Sequence, residues 1–164
     1  MSCSAAVLCS LIEKFSGDTG PGGLVRILQH DPTIPASNRI GQYQPDTCAE
    51  GKMAYLGIEL ASEDPLTDAP MALFRGTILF HLCSCGNDAE SRTIMLSDRV
   101  TSLLLGVGEI PDNRWSFDPS NDDITYLSFK YLRGGALFTD DSERRCKVVS
   151  AAATWRCTPC PCPE

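Results

Sequence analysis

Apolar and polar positions alternate with a period of two along Met71–Cys83: Phe74, Ile78, Phe80 and Leu82 are apolar, and Arg75, Thr77 and His81 between them are polar. That is the pattern of a strand with one buried face. After the turn residues Gly86-Asn87 the period lengthens. Leu96, Val100, Leu103 and Leu104 recur at i, i+4, i+7 and i+8, the stripe of a helix lying on a core. Asn87 is placed to cap this helix, Glu90 stands where its side chain can answer the cap, and Gly106 supplies a stop.

The same periodicities organise the rest of the chain less strongly. Val7, Leu8, Leu11, Ile12 and Phe15 share one face of a helix over Ser4–Phe15, with Ser4 as cap and Ser16-Gly17 as the end. A Gly-rich turn then leads to Leu24–Leu28, too short to assign to helix or strand. Gln29–Lys52 has no sustained period and is interrupted by Pro32, Pro35 and Pro45. It reads as a long loop, in which Arg39, Tyr43 and Gln44 are available to touch a neighbour. Ala54, Leu56, Ile58 and Leu60 alternate with Tyr55, Gly57 and Glu59 to give a second half-buried strand, returned by a Pro-containing loop to an antiparallel partner.

Beyond a packed loop at Gly108–Asp123, a strand over Ile124–Arg133 sets Leu127, Phe129 and Tyr131 on one side, with Ile124, Tyr126 and Leu132 on the other. The last strand, Arg145–Cys157, alternates Val149, Ala151, Ala153 and Trp155 with polar residues. Gly134–Arg144 between them forms a charged hairpin tip. The order is α-β-β-α-β-β. It predicts an α+β fold, a mainly antiparallel four-stranded sheet with helices packed on one face. Residues 1–157 make one domain and 158–164 a Cys/Pro-rich tail.

Composition narrows the function classes. A chain of 164 residues buries one core. A formal charge of −7 argues against a general nucleic-acid binder, because phosphate contacts need clustered Lys and Arg. No apolar run approaches the roughly 20 residues of a membrane span, and the N-terminus has no basic residue ahead of its apolar stretch, so folding in the cytoplasm is expected. Nine cysteines is an odd count, read here mostly as small buried hydrophobes kept reduced.

Candidate chemistry is sparse. Closely spaced thiols at Cys83-Ser84-Cys85 and Cys157-Thr158-Pro159-Cys160 supply a candidate zinc set of Cys83, Cys85, Cys157 and Cys160, although only the second pair has two-residue spacing. A nucleophilic cysteine needs a base, and His81 shares a strand face with Cys83, but no protease or transferase signature surrounds them. The Gly17–Gly23 turn lacks the Lys-Ser/Thr of a phosphate loop.

The element order, with Trp115-Ser116-Phe117-Asp118 ahead of Ile124–Arg133, the acidic tip Thr139-Asp140-Asp141 and a final strand ending in Trp155, resembles the tail terminator and minor tail proteins of tailed bacteriophages. The resemblance spans Ala5 to Cys157 and leaves out the Cys-Pro tail and the Gln29–Lys52 loop. It implies a structural virion protein with no catalytic residues and no cofactor. Such a protein is made in the host cytoplasm and forms a homohexameric ring at the head-proximal end of the tail tube, the tail-neck junction. The ring ends tube growth and provides the joint to the neck connector. Its partners would be copies of itself, the tail tube protein, the neck or head-completion (stopper) protein, and sheath protein where the tail is contractile. DNA would only pass through the lumen, with no specific nucleic-acid binding and no membrane. The subunit-interface candidates are Arg133, Leu137, Phe138, Asp140, Asp141, Glu143, Arg144 and Arg145: opposite charges on neighbouring tips set register, and Leu137 and Phe138 supply affinity. The alternatives are another phage neck or tail-completion protein on a similar fold and, from a different class, a small cysteine-rich zinc or thiol protein.

Overall fold

A computed structural model describes residues 3–29, 39–43, 54–65, 73–105, 124–141 and 143–157. The chain runs α1 (Cys3–Ser16), α2 (Leu24–Leu28), β1 (Ile40–Gln42), β2 (Tyr55–Pro65), β3 (Leu73–Ser84), α3 (Ala89–Leu105), β4 (Ile124–Gly134), β5 (Phe138–Thr139) and β6 (Arg145–Cys157).

The sheet corrects the expected four-stranded, mainly antiparallel arrangement with helices on one face. It has six strands in the order β1-β2-β3-β6-β4, with β5 also paired to β6, and it is mixed. Strand outweighs helix among the described residues. The two unexpected strands are the shortest. β1 lies inside the segment read as a structureless loop and pairs parallel with β2, Ile40 opposite Leu56. β5 sets Phe138 opposite Cys146. Neither is long enough for a period of two to show.

At the centre the alternation does its work. In β3, Ile78, Phe80 and Leu82 are fully buried, and the intervening odd positions are half-buried or exposed. β3 is antiparallel to β6, so Phe80 faces Val149 and Ile78 faces Ala151 within one apolar layer. Phe15 of α1 leans on Phe80 with ring centroids 5.7 Å apart. Leu96, Val100 and Leu104 of α3 join the same core, while Leu103 is only half-buried against it. Trp155 fills the far end, stacked on Phe74. There β2 bulges after Leu60, and a Cβ on Gly76 would lie 2.0 Å from the Ser62 carbonyl oxygen, so glycine is required for this close approach.

Local details differ from expectation. α3 begins at Ala89, and Asp88 accepts the first helical bond from Arg92, so the cap is Asp88 rather than Asn87. Glu90 is then one residue too early for a capping box, and it pairs with Arg145 instead. Ser4 lies inside α1, its hydroxyl bonded to Glu63. Leu24–Leu28 is a helix. Arg39 is buried, its Nη1 donating to the Leu28 carbonyl, and is not available to a neighbour. Tyr131, placed in line with Leu127 and Phe129, is 75% exposed because three steps along β4 from Lys130 to Arg133 oppose two along β6. This extra residue gives Tyr131 a positive φ of 52° and turns Leu132 toward the core in its place.

The thiols differ too. Cys3 at the start of α1 and Cys157 at the end of β6 are joined by a disulfide, their Cα atoms 5.8 Å apart. Among the described residues no helix is long and apolar enough to cross a membrane. Gln44, Gly106, the Trp115–Asp118 segment and Cys160 lie outside the described residues.

Candidate functional site

The odd positions of β3 point away from the main core, and at the Cys83 end they meet chemistry. Cys83 is half-buried and stands directly opposite Cys146, which is almost completely buried. The segment between β5 and β6 folds over this pair. Arg144 donates its backbone N–H to Asp140 Oδ1 at 2.8 Å and its Nε to Oδ2 at 2.8 Å, and its Nη2 lies 2.7 Å from the same oxygen. The turn is closed by the Asp140 N–H on the Arg144 carbonyl at 3.0 Å, with Glu143 at φ 61°. Burial of Arg144 beside the two thiols follows, since its side chain is only 5% exposed.

Electrostatics separate the two thiols. The hydrogen bond from Cys146 holds Cys83 below its ordinary range, and the Arg144 charge adds to this against the opposing effects of burial and Asp140. Cys146 is pushed far up, chiefly by holding its proton toward Cys83 and further by burial. Cys83 is therefore the more readily ionised thiol of the pair, and Cys146 the one that keeps its proton.

Next along the same face, His81 is occupied. Its Nε2 lies 2.7 Å from Glu59 Oε2, and its ring stacks on Tyr43 with centroids 3.6 Å apart. Tyr55, paired across from Cys83, lies back over Gly57, where a Cβ would come within 1.9 Å of the phenolic oxygen. His81 is thus a partly exposed residue of the sheet, held in a packed Tyr-His-Glu array.

Cys83 Sγ, Cys146 Sγ and an Asp140 oxygen lie within 4.8 Å of one another, close enough to surround one ion. The charge pattern opposes it, because both Asp140 oxygens already accept bonds from Arg144 and a divalent cation would sit against a buried guanidinium. The zinc set suggested by the sequence is not assembled. Cys157 is bonded to Cys3, at the opposite end of β6 from Cys146. Eleven residue steps of strand separate Cys146 from Cys157, about 35 Å at the usual rise, so Cys83 and Cys157 cannot share an ion.

The hairpin residues fall into two groups. Asp140, Arg144 and Arg145 are engaged within the subunit, Arg145 through Thr139 at 2.8 Å and Glu90 at 3.2 Å. Arg133, Asp141 and Glu143 are exposed. Phe138 is 47% exposed, and Leu137 is half-buried. Neighbouring tips therefore cannot use Arg144 to pair charges, and Tyr131 joins Phe138 as the more accessible apolar surface.

No protein-family model matches this chain, and no curated protein does either.

Sequence reasoning missed Cys146. It lies outside the buried Val149–Trp155 alternation and becomes notable only when the strand register sets it against Cys83. No local signal marks that pairing.

Proposed function

We propose that the chain is a structural subunit that assembles with copies of itself into a closed ring, and that the ring is a phage tail terminator seated on the head-proximal end of a tail tube. The observation that carries the self-assembly reading is the pair of exposed aromatics on the two strands, β4 and β5, that flank β6 on the side away from β3. Tyr131 is 75% exposed at the bulge of β4, and Phe138 is 47% exposed on β5. Large aromatics held at a sheet margin are costly to leave in water and are enriched where protein surfaces meet. β4 ends the strand order, so its outer edge carries no partner strand among the described residues. A heterologous contact made by this edge and repeated by rotation closes a ring. The tail-tube assignment rests on the resemblance read from the sequence, and of its features the charged hairpin after β4 is the one in its favour, since the full element order differs by α2, β1 and β5.

Light scattering and negative-stain images of the purified chain, alone and with tail tubes, test both levels. A ring that caps tubes supports the full reading. A ring that ignores tubes retains self-assembly and removes the tail assignment, and a strict monomer at high concentration removes both.

The reading from another class, a small thiol protein, has the Cys83–Cys146 pair in its favour.

A further inference from the structure

We propose that Cys83 and Cys146 form a thiol–disulfide exchange site, which takes a low-molecular-weight disulfide as substrate and closes to a reversible cross-strand bond between β3 and β6. The register supplies the geometry. Directly opposed residues of antiparallel strands have Cα atoms about 4.5 or 5.5 Å apart depending on the pair type, and both values fall inside the range a disulfide spans. The two Sγ atoms already lie within 4.8 Å of each other. No strand has to move for the bond to form.

The surroundings assign the roles. Cys83 is half-buried and reachable, so it makes the attack, and Cys146 is covered by the Asp140–Arg144 turn, so it resolves. The Cys146 hydrogen bond and the Arg144 guanidinium favour the Cys83 thiolate.

The exchange balances. Cys83, having released its proton, attacks one sulfur of RSSR, giving the mixed disulfide and RS⁻. Cys146 gives its proton up as it attacks the Cys83 sulfur, and a second RS⁻ leaves. The two thiol hydrogens end on two RSH. The protein loses two electrons and RSSR gains them.

On the ring reading proposed above, the bond would also reach the assembly surface. Cys146 pairs with Cys83 on one side and with the exposed Phe138 on the other. Closing it ties the root of the β5–β6 hairpin to the centre of the sheet.

Oxidised glutathione is the probe. The folded full-length chain is equilibrated with glutathione buffers of increasing oxidised fraction, quenched with a thiol-blocking reagent, and mapped as non-reduced peptides. The expected result is a linked peptide pair containing Cys83 and Cys146, formed and lost reversibly. In Cys146→Ser, glutathione should accumulate on Cys83. In Cys83→Ser, Cys146 should stay unmodified while the exposed Cys9 reacts.

The proposal is overturned if the linked pair never forms in wild type under buffers that glutathionylate Cys9. It is equally overturned if Cys146 reacts before Cys83, or if the purified protein carries stoichiometric zinc that Cys83→Ser and Cys146→Ser each remove. Should a variant fail to fold, the wild-type map alone decides.

Discussion

Arg99 of α3 grips Asp18, in the turn between α1 and α2, through two parallel bonds, Nη2 to Oδ1 at 2.6 Å and Nε to Oδ2 at 2.8 Å. Oδ2 also accepts the Leu24 N–H at 2.7 Å, so one carboxylate fixes the start of α2 and ties both short elements to the long helix. The Arg99 bonds outweigh burial and hold the Asp18 carboxyl below its ordinary value of 3.8.

That shift fixes the sign of a pH effect. A carboxyl whose folded pKa is depressed stabilises the fold in full above its unfolded value, and the contribution fades as pH falls through the folded value. Asp18→Asn should therefore lower stability near neutrality by about 1–3 kcal/mol, as for other charged hydrogen bonds. The deficit should shrink as pH falls below 3.8, where the carboxyl of the unfolded chain takes up its proton first and that of the folded protein follows at lower pH. Denaturant titrations at neutral and acid pH measure this, and an equal loss at both would show that the Arg99 contact is not what Asp18 contributes.

The Cys3–Cys157 bond encloses nearly the whole chain, with a sequence separation of 154. Closing so long a loop restricts the unfolded chain, and removal of such a bond costs about 2–5 kcal/mol. Cys3→Ser, or reductant on the wild type, should lower the unfolding free energy by that amount and move the midpoint down, while leaving the spectrum of the folded state unchanged. An unshifted midpoint on reduction would mean that the two thiols are not joined in solution.

Phe80→Ala should cost about 3–5 kcal/mol, because the ring is fully buried between Phe15 and the β6 side chains and the sheet cannot collapse into the gap. The neighbouring His81→Ala removes a partly exposed contact with Glu59 and a stack on Tyr43, and should cost about 1 kcal/mol. Comparable losses in thermal denaturation would reverse the assignment of the two faces of β3.

Tyr131→Asp combined with Phe138→Asp should leave the monomer folded, since neither side chain belongs to the buried core, and abolish ring formation. Sedimentation velocity reads the assembly state and circular dichroism the fold. A double variant that still assembles would place the contact elsewhere. Leu137 is better left intact because it is half-buried, so that a charge there confounds folding with assembly.

Long elements were legible from composition along the chain because their period repeats enough times to rise above noise. β3 and β6 each carry at least four alternations, and Leu96, Val100 and Leu104 mark one face of α3 over more than two turns. What only the tertiary structure decided lies where a contact joins residues distant in sequence or where an element is too short to have a period. β1 exists as a strand because β2 offers it a parallel edge, and Tyr131 is exposed because β4 carries one residue more than its partner at that point. Arg39, polar and set in a Pro-rich stretch, is buried under α2. The candidate site is the extreme case. Cys83 and Cys146 are unremarkable in their own strands, and it is the β3–β6 register, set by burial of Phe80, Ile78, Val149 and Ala151 on the other face, that brings the two sulfurs together. Local sequence encodes which residues prefer to be buried; which thiol meets which is encoded only in how two strands align to bury them.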